Sequence, residues 1–235
     1  MNIAVLLMAG SGHRFQSEEP KQFVVVQGLP LFAYALSTLS HHKDIDRIIL
    51  VIHRDYLEQV RSYCKENFFD KRLDFIEGGS TRQASVYCAL LYMRDFAKDD
   101  DIVLIHDAAR PLVSMNIISD NLDGAKQLGA VTTALHNRDT LIRVDEDHRL
   151  LEVLERTATY QVQTPQTFTY ELLFSAHQVA LSLKQFNLSD DAQIVQALPH
   201  SVHIVNGSSL NFKVTDPSDL ELLKSSIQIG AQKDE

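Results

Sequence analysis

The feature that most constrains this chain is an alternation between short, nearly unbroken apolar runs and longer periodic segments. Ile3–Met8, Arg47–Ile52, Leu73–Ile76 and Ile102–Ile105 are aliphatic or β-branched and bounded by turn residues, the pattern of strands buried on both faces. Between them, Pro30–His42, Asp55–Phe68, Ser80–Ala97 and Met115–Leu128 carry apolar residues at helical spacing. In the third of these, Val86, Leu90, Met93 and Ala97 fall on one face, and Ser80 with Gln83 reads as a capping box at the start. Strand–helix alternation predicts an α/β fold with a mostly parallel sheet and helices on both faces. Ligands of such sheets bind outside the carboxyl ends of the strands.

The alternation breaks after Thr140. Leu141–Val144 and Leu150–Leu154 flank a polar Asp145-Glu146-Asp147-His148 turn and predict a β-hairpin too small for its own core. Such a hairpin either packs on the parent domain or pairs with another subunit, and the pattern leaves both open. Helices are predicted again at Tyr170–Lys184 and Asp190–Leu198, then a strand at Val202–Val205. A last helix is capped by Asp216, with Pro217 in its first turn. Disorder is expected only over Ala231–Glu235.

Charge narrows the function. The net charge of −9 repels nucleic acid and anionic membranes, and any phosphate-binding site must gather its cations locally. No apolar run reaches the length of a membrane span, and the apolar start lacks the basic flank of a signal peptide. Cys64 and Cys88 have no metal-type spacing and read as reduced thiols. A cytoplasmic protein is expected.

Three segments at predicted strand ends carry candidate chemistry. The first strand runs into Ala9-Gly10-Ser11-Gly12-His13-Arg14, small residues that let a backbone approach a ligand. Phe15 replaces the third glycine of the dinucleotide fingerprint, and the Gly-Lys-Ser/Thr of a Walker loop is absent. Arg14 and then Pro20-Lys21 place two cations on this loop, a bidentate fork and a point charge suited to a triphosphate. Spacing alone leaves phosphate binding and solvated surface charge both open. His106-Asp107-Ala108-Ala109-Arg110-Pro111 begins where the fourth run ends. Asp107 suits magnesium or a substrate hydroxyl and Arg110 suits phosphate, against a plain capped turn. Gly78-Gly79-Ser80-Thr81-Arg82 leads into a helix, with Arg82 and Ser85 in its first turn.

Together these motifs resemble the 2-C-methyl-D-erythritol 4-phosphate cytidylyltransferases, of the nucleotide-diphospho-sugar transferase-like (Rossmann-like) fold. The resemblance covers nearly the whole chain. It includes the loop through Phe15, Pro20–Phe23, Gly78-Gly79, Arg82, Ser85-Val86 and His106–Pro111, then Arg138-Asp139-Thr140, Arg156, Gln163–Phe168 and Asn211–Thr215. It implies one domain over 1–235, with 137–160 as a protruding β-arm. It further implies transfer of a cytidylyl group from CTP to the methylerythritol phosphate with release of pyrophosphate, in non-mevalonate isoprenoid precursor synthesis. By residue, it implies that Arg14, Lys21 and Lys213 neutralise the reacting phosphates. Ala9, Gly10, Gly12, Gly79, Arg82 and Ser85 would form the nucleotide pocket. Asp107, Arg110, Thr140, Arg156 and Ser189 would hold the acceptor, with Ser189 standing where the family usually has Thr. Mg2+ would be carried mainly by the CTP phosphates, with Asp107 as a possible ligand. The arm would embrace a second subunit, so that Thr140 and Arg156 serve the partner's site in a homodimer.

Two alternatives compete. Ribitol 5-phosphate cytidylyltransferases share the fold and most motifs, but they favour Val and then Arg-Pro-Phe after the His-Asp-Ala step; Ala109-Arg110-Pro111-Leu112 here favours methylerythritol phosphate. A non-catalytic nucleotide-binding regulatory module is more remote, because every charged motif position is retained.

Overall fold

The computed structural model describes residues 1–10, 20–68 and 72–231. The chain opens with β1 (Asn2–Met8), a short hairpin of β2 (Val25–Val26) and β3 (Leu29–Pro30), α1 (Leu31–His41), β4 (Arg47–Ile52) and α2 (Leu57–Asn67). There follow β5 (Arg72–Glu77), α3 (Arg82–Met93), β6 (Ile102–Asp107), α4 (Met115–Leu128) and β7 (Ala130–His136). The rest comprises β8 (Ile142–Val144), β9 (Leu150–Val153), β10 (Tyr160–Thr169), α5 (Tyr170–Ser182), α6 (Asp191–Gln196), β11 (His203–Asn206) and α7 (Pro217–Ala231). The expected disordered tail falls on Ala231, which closes α7, and on 232–235, which lie outside the described residues.

Among the described residues, a 7-stranded sheet has the order β11-β7-β10-β6-β1-β4-β5. β1 pairs in parallel with both β4 and β6, β4 with β5, and β7 with β11. β10 alone runs against its neighbours β6 and β7. A strand buried on both faces sends alternate side chains to opposite layers, and β1 does so. Ala4, Leu6 and Met8 join a core with Leu36 and Leu39 of α1, Val60 of α2 and Ile118 of α4. Ile3 and Val5 join one with Val86 and Leu90 of α3, Leu173 of α5 and Ile194 of α6. Helices therefore cover both faces, as the alternation of the sequence predicts.

Two local readings change. α3 begins one residue later than the Ser80 capping box implies: Thr81 is the N-cap, its hydroxyl accepting from Ala84 N at 3.0 Å. Gln83 cannot close a box, because its buried amide donates to Gln185 O at 2.7 Å and accepts from Leu188 N at 3.1 Å. The fourth strand also extends past Ile105 to Asp107, which makes His106 and Asp107 strand residues. α4 matches its predicted span and ends at Gly129, whose φ of +80° is the left-handed conformation that favours glycine.

β8 and β9 form the predicted hairpin, and every residue of both strands is exposed. It leaves the sheet after β7 and returns through the exposed first part of β10. The β10 ladder to β7 is interrupted between Val162 and Gln166.

Candidate functional site

Because β1, β4, β5 and β6 are parallel, their carboxyl ends meet at one edge of the sheet, where a cavity of about 630 Å³ opens. Met8, Ala9 and Gly10 form its floor at the end of β1, Gly78 and Gly79 one wall, and Asp107 and Ala108 another. Among the described residues, four Lys and Arg side chains line it, Lys21, Arg54, Arg82 and Lys213, against the carboxylates Glu77 and Asp107. A protein of net charge −9 thus concentrates cations at this edge.

Each wall has a local cause. Gly78 sits where a Cβ would lie 2.4 Å from Ala9 Cβ and 2.9 Å from Ser85 Oγ, so only glycine lets the β5–α3 turn close on the end of β1. Ser85 ties the turn down from inside the helix: its Oγ accepts from Gly79 N at 3.1 Å and donates to Thr81 O at 2.9 Å. Lys21 opens a 3-10 turn that follows Pro20, and its Nζ donates to Val214 O at 2.7 Å. Gln22 is buried, and its amide donates to Met8 O at 2.8 Å and to Gly10 O at 3.0 Å. Gln22 therefore staples the two ends of the glycine loop together, a role its sequence position does not signal.

Asp107 is the electrostatic centre. Its Oδ1 accepts from Arg82 Nε at 3.1 Å, and its Oδ2 from Lys213 Nζ at 2.6 Å. Burial alone would push the carboxyl up, but the Arg82 guanidinium and the Lys213 ammonium, with Arg110 behind, pull it well below the usual carboxylate range. Arg82 also binds Asp191 through Nη1 at 2.7 Å. Burial favours its neutral form, and the two carboxylates reverse that and hold it charged. Beneath Asp107, Thr164 Oγ1 accepts from the Asp107 N–H at 3.1 Å and lies 3.1 Å from His106 Nδ1. The Nε2 of His106 is 3.0 Å from Arg110 O, a carbonyl that can only accept. The proton therefore sits on Nε2, and Nδ1 accepts from Thr164. Burial pushes His106 down to about 4, against the hydrogen bond to the Arg110 carbonyl.

The proposed site residues divide. Ala9, Gly10, Lys21, Gly79, Arg82, Ser85, Asp107 and Lys213 all line the cavity. Arg14 and Gly12 lie outside the described residues. Arg110 stands behind Asp107, off the cavity; its guanidinium donates to Asn211 O at 2.8 Å and Val162 O at 3.4 Å. Thr140 and Arg156 are exposed on the arm and do not line their own chain's cavity. Ser189 is also off it, its Oγ 3.1 Å from Gln193 Oε1. The metal expectation can be tested on the donors present. Among the described residues, no group of three His, Cys, Asp or Glu could hold a metal ion. The carboxylates that line the cavity, Glu77 and Asp107, would suit a hard cation that arrives on a ligand's phosphates and takes one or two oxygens from the protein.

The comparisons with known proteins agree over the length of the chain. A family model described as 2-C-methyl-D-erythritol 4-phosphate cytidylyltransferase matches residues 2–228. A relative of that name from Thermotoga neapolitana is 40% identical over 224 residues, covering 95% of this chain and 96% of the relative. Another from Clostridium novyi is 36% identical over 232 residues, covering 97% and 96%. Among solved structures, the 4-diphosphocytidyl-2C-methyl-D-erythritol synthase of Anaerococcus prevotii superposes with a TM-score of 0.83 at 26% identity, covering 97% of this chain and 96% of that one. The 2-C-methyl-D-erythritol 4-phosphate cytidylyltransferase of Thermus thermophilus gives 0.74 at 32% identity, covering 97% and 100%. On this similarity in both sequence and structure, the chain belongs to the 2-C-methyl-D-erythritol 4-phosphate cytidylyltransferase family.

Proposed function

We propose that the cavity carries out the reaction for which the family is named: a cytidylyl group passes from CTP to 2-C-methyl-D-erythritol 4-phosphate, giving 4-diphosphocytidyl-2-C-methyl-D-erythritol and pyrophosphate. The observation that carries this reading is that Lys21, Arg82 and Lys213 line one cavity at the carboxyl edge of the sheet, with Arg82 and Lys213 both bound to Asp107. An oxygen of the acceptor's phosphate attacks the α-phosphorus of CTP. The new P–O bond forms as the bond to the β-phosphate oxygen breaks, and pyrophosphate carries away the electron pair. Both reactants are anions and little proton transfer is needed, so positioning and charge stabilisation dominate.

In this reading Lys21 and Lys213 face the reacting phosphates, joined by Arg14 from the glycine loop. Ala9, Gly10, Gly12, Gly79 and Ser85 accommodate the nucleoside. Asp107 keeps Lys213 in place and would offer an oxygen to Mg2+ carried by the triphosphate, an ion that would supply neutralisation of phosphate charge. The arm pairs with a second copy, so that Thr140 and Arg156 act in the partner's cavity. The exposed Ile142, Val144, Leu150, Leu151 and Val153 support that pairing, because apolar side chains of this density gain from being covered. The same reading puts the enzyme in the cytoplasm, with Cys64 and Cys88 as free thiols. No helix among the described residues is long and apolar enough to cross a membrane.

Pyrophosphate release decides the reaction. With CTP and Mg2+, turnover is expected with 2-C-methyl-D-erythritol 4-phosphate and far less with ribitol 5-phosphate. Preference for the ribitol ester would overturn the acceptor, and silence with both would overturn the activity. An active monomer in sedimentation velocity at assay concentration would refute the arm's role.

A further inference from the structure

Behind the cavity the charged cluster continues where the chemistry above does not reach. His177 on α5 and Asp191 in the first turn of α6 are both fully buried, and neither lines the cavity. His177 Nε2 lies 3.1 Å from Asp191 Oδ1, and Asp191 Oδ2 accepts from Arg82 Nη1 at 2.7 Å. Arg82 in turn grips Asp107, which holds Lys213. An unbroken line of five polar side chains thus runs from the middle of α5 to the cavity.

Stability does not account for the two inner members. A buried ion pair recovers its desolvation only with very good geometry, and apolar replacements of similar volume often serve a core as well. α5 and α6, which carry the pair, also contribute Leu173, Ile194 and Val195 to the apolar core on this face of the sheet. What Asp191 does is local to Arg82. A guanidinium bound to Asp107 through Nε and to Asp191 through Nη1 is fixed in its plane by two carboxylates. Its side chain stays 23% exposed toward the cavity it lines. Without Asp191, the whole of the Arg82 charge would fall on Asp107 and compete there with Lys213.

Asp191 is itself held on two sides. Its backbone N–H donates to Gln166 Oε1 at 2.9 Å, and His177 donates to its Oδ1. The His177 ring stacks near Tyr87, at 6.2 Å between centroids and 13° between planes.

We propose that His177 and Asp191 are positioning residues for CTP binding: they fix the plane of Arg82 and divide its charge, so that the nucleotide wall and the Asp107–Lys213 pair are both kept. The proposal rests on the reading of this cavity as the CTP site.

Asp191→Asn keeps the size and removes the charge. His177→Leu removes the donor, and His177→Gln returns one near the position of Nε2. The assay is pyrophosphate release at varied CTP, with calorimetric binding of a non-hydrolysable CTP analogue. The expected result is a KM for CTP about tenfold higher in Asp191→Asn with kcat within about threefold of wild type. A smaller rise is expected in His177→Leu, largely restored in His177→Gln. A merely structural role would lower Tm and the active fraction while KM and analogue affinity stayed at wild-type values, and that result overturns the proposal. If Asp191→Asn does not fold, the two His177 variants decide on the same criterion. Wild-type protein that does not turn over CTP fails the underlying reading; active wild type with unshifted variants fails this inference alone.

Discussion

Gly78→Ala tests whether the nucleotide wall depends on backbone contact. The added Cβ would stand 2.4 Å from Ala9 Cβ, 2.9 Å from Ser85 Oγ and 3.1 Å from Val51 Cγ1. Carbon atoms in contact prefer about 3.5–4.0 Å, so the overlap with Ala9 exceeds an ångström. Ala9 has no rotamer that could relieve it. Ser85 can turn away only by giving up its bonds to Gly79 N and Thr81 O. The strain therefore falls on the backbone joining β1, β5 and α3. Overpacking of this kind costs about 1–3 kcal/mol, and three contacts with little freedom to yield put the expectation near the top, at about 2–3 kcal/mol. For a chain of this size that lowers Tm by roughly 4–12 °C. Ala9, Ser85 and Gly79 line the cavity, so the KM for CTP should rise in parallel. Calorimetric melting and CTP titration of pyrophosphate release measure both. Gly10→Ala is the control for stability, since its Cβ would meet nothing within 4 Å. A Gly78→Ala protein that melts within about 1 °C of wild type and keeps its KM would refute the reasoning.

Lys21→Ala should lower kcat about a hundred- to thousandfold while CTP binding weakens much less, because the charge it supplies matters most when phosphate charge is moving; steady-state rates set against equilibrium binding separate the two. Thr164→Val keeps the shape but leaves the buried Asp107 N–H without its acceptor, and should cost about 1–3 kcal/mol of unfolding free energy at neutral pH, read as a lower urea midpoint at unchanged slope. His106 titrates near 4 in the folded chain against 6.5 for the free side chain. Between those values the unfolded chain binds a proton that the folded one does not, so stability is full above about 6.5 and falls as pH drops toward 4. The loss is on the order of 3 kcal/mol, and His106→Gln should remove that part of the slope in urea titrations across the window.

Three of the four strands that end at the cavity, β1, β4 and β6, are legible in the sequence because they are buried on both faces, and a run such as Arg47–Ile52 has no polar face to conceal it; β5, expected to be buried as well, is instead a partly exposed edge strand, legible only as an apolar run between turns. β7 and β10 are not, although they lie deep in the same sheet. Their core positions carry Thr132, Thr133, Gln166 and Thr167, all buried. Those groups satisfy one another and Asn121: Gln166 Nε2 donates to Thr132 Oγ1 at 3.0 Å, and Asn121 Nδ2 to Thr133 Oγ1 at 2.8 Å. Hydropathy registers them as polar and misses the pairing, and Pro165 argues locally against a central strand. The site divides in the same way. Lys21, Asp107 and Lys213 stand in motifs whose order points to a phosphate ligand. Gln22, His177 and Asp191 act through partners that only the folded chain brings near, so their spacing carries no signal. Arg110 belongs to such a motif as well, its residue type suited to phosphate, and the fold adds its two backbone partners, the carbonyls of Asn211 and Val162.

The break in the β10 ladder has a consequence for the timing of synthesis. Backbone and side chains freed there hold the last stretch of the chain: Asn211 Nδ2 donates to Thr164 O at 2.8 Å, and Gln163 Nε2 donates to Ser208 O at 2.9 Å. That clasp delivers Lys213 to Asp107, 106 positions upstream. Emerging from the ribosome, the chain presents Asp107 and Arg82 long before the ammonium that completes them, and the clasp cannot close until β10 has entered the sheet. Contacts of such separation form late, after the loops they span have been ordered. A chain ending before Asn211 therefore lacks both the clasp and the ammonium, and its charge cluster around Asp107 stays unfinished.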